Sequence, residues 1–250
     1  MISNRTLPAT PLSLCVVVAV WLLGIGTMSA QHTPAQQAIL SAKQQRIVAI
    51  AALTAKGNLP ALAPALVSGL EAGLTVNEIK EVLVHLYAYC GFPRSIRGLT
   101  TFMAVLDDRK KQGIQDEIGK EATPVTNTGS KYAQGQHVLE RLSGQPQNGP
   151  KRGYAAFSPE IDVFLKEHLF ADLFGRDVLS YADRELTTVA VLSSIGGVEP
   201  MLQAHLGICL HVGLTEVQLR QMLALIETHV GKVEAEAGRV VLTQVTGSRK

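Results

Sequence analysis

Cysteine is scarce in this 250-residue chain: there are three, and Cys15 falls within the first thirty residues, leaving Cys90 and Cys209. Two thiols are too few for a disulfide scaffold, although they could pair once. Charge of either sign is also lacking in excess. The formal net charge is +2, and losing Arg5 with the first thirty residues brings it closer to zero. With no basic tract either, nothing favours nucleic acid or an acidic membrane surface as a partner. Alternation of apolar and polar residues is absent as well, so no β-sheet is expected, and neither a phosphate-binding glycine loop nor a serine-nucleophile elbow occurs. Metal binding lacks a full ligand set. His205 and Cys209 have the i, i+4 spacing of two ligands, but no third falls in register and His211 faces elsewhere on the helix. No metal and no cofactor are expected.

What is present is helical. Hydrophobic residues make up 46% of the chain, and Ala, Leu, Val, Glu, Gln and Lys dominate its apolar segments, giving an all-α class. The first thirty residues stand apart. Arg5 precedes the apolar run "LSLCVVVAVWLLGIG", and Ser29 and Ala30 follow it, which reads as a secretory signal cleaved near Ala30 and implies an exported protein, periplasmic or secreted, without stable membrane contact. Retention as an anchor is the alternative, but the run is short of the roughly twenty residues a span requires.

The rest of the chain repeats at an offset of 140 residues. "GNLPALAPALVSGLEAGLTVNEIKEVL" (57–83) lies on "GVEPMLQAHLGICLHVGLTEVQLRQML" (197–223), matching Gly57 with Gly197, Pro60 with Pro200 and the spine Leu62, Leu66, Leu70 with Leu202, Leu206, Leu210. Each copy reaches Gly-Leu-Thr, with Glu78 or Gln218 three residues after the threonine. This spacing predicts a left-handed glycine closing one helix and a capping box opening the next. A further helix is expected before each pair, near Arg46 and near Arg184. Residues 121–157 are rich in Gly, Pro, Asn, Ser and Thr and read as a connection between a domain at 35–120 and one at 130–248, with Ser158 as N-cap and Pro159 in the first turn of a new helix. The segment "YCGFP" (89–93) predicts a helix stop.

The stretches "GLTVNEIKEVLVHLYAYCGFP" and "DRELTTVAVLSSIGGVEPMLQAHLGICLHVGLTEVQL" closely resemble the carboxymuconolactone decarboxylase family, which shares an all-helical fold with the alkylhydroperoxidase AhpD. The resemblance implies tandem AhpD-like domains packed as a pseudo-dimer. It also implies homo-oligomers, among which a trimer of tandem chains would reproduce the family's rings of dimers. Each half departs from the family pattern in a complementary way. The family histidine is His205 in the second half but Ala65 in the first, while Cys90 and Gly91 of the first half correspond to Val230 and Gly231. One composite site per chain is therefore expected.

For that site, His205 is the candidate acid or base, because imidazole exchanges a proton near neutrality. Glu185 and Glu199 are candidates to orient it or relay its proton. Cys90 is a candidate thiol at a helix C-terminus, where the dipole opposes a thiolate unless Arg94 or Arg97 compensates. Tyr87, Tyr89, Arg94 and Cys209 are candidate substrate contacts, with His85 secondary. Three functions stand open: a decarboxylase-like enzyme using His205 on a small carboxylate or lactone, a peroxidase using Cys90, and a non-catalytic binding protein. No Cys-x-x-Cys, the pair used by the peroxidase branch, occurs in the chain.

Overall fold

The computed structural model describes Met1 and residues 39–124 and 129–248. The expected signal segment, with Cys15, lies outside these residues. Among the described residues there are helices and no strands.

The first half runs α1 (Ala42–Lys56), α2 (Leu59–Glu71), α3 (Val76–His85) and α4 (Tyr87–Lys111). A peripheral layer follows: α5 (Lys131–Ser143), the short α6 (Tyr154–Phe157), and α7 (Pro159–Phe164), which passes into a π-helical segment, Leu165–Leu173. The second half then repeats the first as α8 (Tyr181–Ile195), α9 (Glu199–His211), α10 (Glu216–His229) and α11 (Lys232–Gly247). Both capping boxes form. Thr75 accepts from Glu78 N and Thr215 from Gln218 N, with the reciprocal side-chain bonds in place. Gly73 and Gly213, at φ of 89° and 101°, make the turns that bring the chain to these caps.

Helices α1 and α8 pack along one another at the centre. Each is buried all round, over the unbroken runs Ile47–Ala55 and Arg184–Ser194, as a helix enclosed on every side must be. One hydrophobic core joins the halves, from Leu40 to Val105 and from Leu179 to Val245. Cross-ties fix the join at the surface: Gln221 accepts from the Leu40 amide at 2.7 Å, and Gln44 donates to Asp183 at 3.1 Å. The buried runs differ in one respect that places the site. The α1 run contains one polar side chain, Thr54, whereas the α8 run contains Arg184, Glu185, Thr187, Thr188, Ser193 and Ser194.

Two local expectations need correction and a third holds. The stretch 121–157 is not loop throughout, since α5 occupies Lys131–Ser143 and packs against the π-helical segment. Ser158 holds the N-cap position, but its hydroxyl makes no capping bond; it reaches the Glu160 carboxylate at 3.0 Å instead. The stop expected at "YCGFP" is present as a one-residue break between two helical stretches. Gly91 (φ 81°, ψ 158°) interrupts α4, and the helix resumes with Pro93 near its new start and continues to Lys111.

The peripheral layer has a small core of its own, built from Val138, Leu142, Leu169, Phe170, Leu173, Phe174 and Ile208. Its tightest point is Gly135, where an added Cβ would lie 1.7 Å from the Lys166 carbonyl oxygen. Gly135→Ala is expected to cost about 1–3 kcal/mol in urea unfolding despite alanine's higher helix propensity. Gly149→Ala, with nothing near the added carbon, is expected to stay within about 0.5 kcal/mol of the parent.

Candidate functional site

Where α3 and the start of α4 meet α8 and α9, both halves contribute polar side chains to one buried cluster. Its base is a charged triad. Arg184 is fully buried and donates through Nη2 to Glu81 Oε1 at 2.7 Å and to the Arg176 carbonyl at 2.8 Å. Arg176 forks onto the same carboxylate, with Nε at 2.8 Å from Oε1 and Nη2 at 3.0 Å from Oε2. Burial by itself would raise the Glu81 carboxyl, but the bonds and charges of the two arginines outweigh it and hold Glu81 below the usual carboxylate range. Glu81 is therefore an anion at neutral pH.

His85 sits one turn further along α3. The Thr188 hydroxyl gives its single proton to the Arg184 carbonyl at 3.0 Å, so toward His85 Nε2, 2.9 Å away, it can only accept. The proton of His85 is thus on Nε2, and Nδ1 accepts from Arg184 Nη1 at 3.4 Å. Burial, then the charges of Arg184 and His205, push His85 well below the ordinary imidazole value. This histidine is a fixed neutral wedge, further enclosed by the edge-on ring of Phe174 at 5.0 Å.

The candidate acid–base pair lies beside it. His205 Nδ1 is 2.8 Å from Glu185 Oε2, with the glutamate side chain fully buried and the histidine 13% exposed. Because the carboxylate accepts the Nδ1 proton, Nε2 is the nitrogen left to exchange protons with a ligand. The Tyr89 ring, from the first half, stands perpendicular to the imidazole at a centroid separation of 5.6 Å and lies 5.3 Å from His85. Cys209, one turn after His205, is fully buried, and burial followed by the charge of Glu185 pushes its thiol well up. It is a packed, protonated thiol.

The structure thus brings together His205, Glu185, Tyr89 and Cys209. Other expected residues stand elsewhere. Glu199 is exposed and accepts from the Gly197 amide at 3.1 Å, the behaviour of a first-turn helix acid. Arg94 donates from Nη1 to the Lys56 carbonyl at 2.9 Å, closing the C-terminus of α1. Tyr87 points its hydroxyl at His168 Nε2 and stacks on Phe92 at 4.5 Å.

Cys90 is the residue before the Gly91 break, half-buried, with Sγ donating to the Leu86 carbonyl at 3.3 Å. Burial pushes its thiol up to about 11, with Arg94 opposing only part of the effect. Both cysteines are free, so the pairing open to them is not made. An open groove between α9 and α11, lined by Pro200, Gln203, Ala204 and Val245, lies on the side of α9 away from His205 by helical spacing.

Residues the sequence did not single out carry much of the cluster: Glu81, Arg176, Arg184 and Thr188. A signal was available. Glu81, His85 and Tyr89 recur every four residues along an otherwise apolar stretch, and Arg184 and Thr188 do the same on α8. That register places each set on one face. Among the described residues no group of His, Cys, Asp and Glu could hold a metal ion.

Comparison with known proteins agrees with this doubled architecture. The 4-carboxymuconolactone decarboxylase of Acinetobacter baylyi is 24% identical over 120 residues, which is 48% of this chain and 89% of that protein. A sequence model of the carboxymuconolactone decarboxylase family matches twice, at residues 26–101 and 159–243. With the first match ending in α4 and the second running from α7 into α11, the chain belongs to the carboxymuconolactone decarboxylase family, as a tandem pair of its domains.

Proposed function

We propose that this chain is a decarboxylase-like enzyme acting on a small carboxylate or lactone, with His205 as its general acid–base. The observation that carries the reading is the His205 to Glu185 contact: a buried carboxylate fixes the tautomer and leaves Nε2 at a partly open edge. In the reaction, the C–C bond to the substrate carboxylate breaks and CO2 leaves. The electron pair enters a conjugated enolate, and His205 delivers a proton from Nε2 to carbon. One solvent proton then restores the imidazolium. Glu185 stabilises the charged imidazole through the hydrogen bond at Nδ1, on helices whose neighbouring Leu186 and Leu206 are fully buried, an environment in which such a bond counts for more than in water. The name of the Acinetobacter relative makes 4-carboxymuconolactone the first compound to test.

The peroxidase alternative requires a thiolate at Cys90, and the protonated, carbonyl-bonded thiol described above opposes it. Export follows from the N-terminal segment in the same reading. Homo-oligomerisation is supported by Phe92, Ile96 and Met103, exposed apolar side chains that share one stripe of α4.

His205→Gln is expected to lower kcat for CO2 release by about 10²–10⁴-fold, with Glu185→Gln losing activity in the same direction by a smaller factor. Full turnover in His205→Gln would remove the histidine from the chemistry. Alkylation of Cys90 should be slow at pH 8 and accelerate with each pH unit toward about 11, following the raised thiol, and Cys90→Ser should keep decarboxylase turnover. Fast alkylation near neutrality would revive the thiol mechanism. Light scattering on the exported protein should give a multiple of the chain mass that Ile96→Glu reduces, and N-terminal sequencing should begin near residue 31; a monomer starting at Met1 would refute both expectations.

A further inference from the structure

Two buried polar atoms on side chains that contact His205 make no hydrogen bond of full geometry among the described residues: Glu185 Oε1, and Tyr89 Oη, whose polar neighbour is the Thr188 hydroxyl, itself committed to the Arg184 carbonyl. Buried polar atoms are nearly always paired, and an orphan calls for a cause. Here there are two, of opposite character, on side chains that both contact the same imidazole. Burial, followed by the charge of Glu185, pushes the phenol well up against the smaller opposing effects of the Thr188 hydroxyl and Arg184, so Tyr89 keeps its proton and offers a donor. The free oxygen of Glu185 offers an acceptor. A ligand completing the pair must present an acceptor atom to the tyrosine and a donor atom to the glutamate, with its reacting carbon near His205 Nε2.

The enolate left by decarboxylation has the acceptor in its oxygen, and a hydroxyl or protonated carboxyl on the same skeleton has the donor. Resting on the acid–base reading of His205, we infer that Tyr89 is a catalytic residue whose hydroxyl donates a hydrogen bond to the oxyanion that develops on the substrate as CO2 departs. The donor is supplied by the first half and the proton by the second. At the position related to Tyr89 by the repeat stands His229, and at that related to His205 stands Ala65, so the other side of the pseudo-dimer cannot form the same arrangement. The substrate class follows from the pairing: a small enolisable acid carrying a second oxygen function that can donate. A saturated monocarboxylate lacks both features.

The test uses the full chain and 4-nitrophenol as an oxyanion probe, read by the visible absorbance of its phenolate. The native protein is expected to bind the phenolate in preference to the phenol, and Tyr89→Phe to weaken that binding at least tenfold with the fold retained. Because the hydroxyl that phenylalanine removes makes no hydrogen bond of full geometry, the variant should unfold at the same urea concentration as the parent or a higher one; a clear drop would assign the hydroxyl a structural bond to Thr188 instead and overturn the inference. In turnover, Tyr89→Phe should lower kcat by about a hundredfold with KM little changed. Phenolate binding unchanged in Tyr89→Phe but lost in His205→Gln would overturn the role of Tyr89 and leave the histidine reading standing. Absence of phenolate binding in the native protein, together with full turnover in His205→Gln, would overturn both. A Tyr89→Phe variant with native kcat would reduce the two orphans to the binding place of an internal water, and overturn the inference alone.

Discussion

The ion pair between Arg184 and Glu81 holds the rest of the site in place. One partner comes from each half of the chain, and neither is exposed enough for water to replace the other. Such a pair adds little net stability when complete, because taking two ions out of water costs nearly what their attraction returns. Its force lies in what happens on displacement, when a charge is left buried and alone. The two halves are therefore held to one register, and everything mounted on the triad inherits it. His85 takes its tautomer from the Arg184 and Thr188 that flank it, the ring of Tyr89 rests against His85, and His205 meets that ring from the opposite helix. A slip of one helical turn would break the pair before it moved the imidazole.

The parts of this architecture written in local sequence were legible in advance. Gly-Leu-Thr followed by Glu or Gln is a complete instruction for ending one helix and starting the next, and both copies obey it. Helix α5 was hidden by its flanks, "TPVTNTGS" before it and "SGQPQNGP" after it, which read as loop, and by a narrow apolar face of Val138, Leu139 and Leu142. The stop at Gly91 was legible too: a glycine and a proline two residues apart mark an end, and a proline in the first turn of the helix that follows costs nothing. For the site, His205 and Glu185 could be named from the family pattern. Glu81 and Arg184 stand in the stretches that carry the family resemblance but were not among the candidate site residues, because a single charged residue is ordinarily solvated. Only register distinguished them, Glu81 with His85 and Tyr89 and Arg184 with Thr188, and register becomes meaningful once it is known which faces meet.

The asymmetry of the two halves is chemical rather than architectural. Helix order, caps and turns match along the repeat, yet the central helix of one half is lined with aliphatic side chains and that of the other with an arginine, a glutamate and several hydroxyls. Across the pseudo-dimer, Gln45 stands where the second half has Glu185, and Ala65 where it has His205. Two identical subunits related by a true two-fold axis must carry equal sites. Joining the domains in one chain lifts that requirement, so one half can specialise in presenting Glu81, His85 and Tyr89 while the other supplies Arg184, Glu185 and His205.

The central pairing of α1 with α8 also bears on how the chain reaches this state. The Ile47–Ala55 run of α1 is buried around its whole circumference, and the partner that covers one of its sides is made more than a hundred residues later. During synthesis the first four helices emerge as an incomplete core with one long seam open to water, and closing the seam requires a large loop between α1 and α8 to be ordered first. The halves cannot mature one after the other as independent beads. Assembly is a late, long-range event, and the interval before it is when the nascent protein is most exposed to aggregation, whatever its final stability.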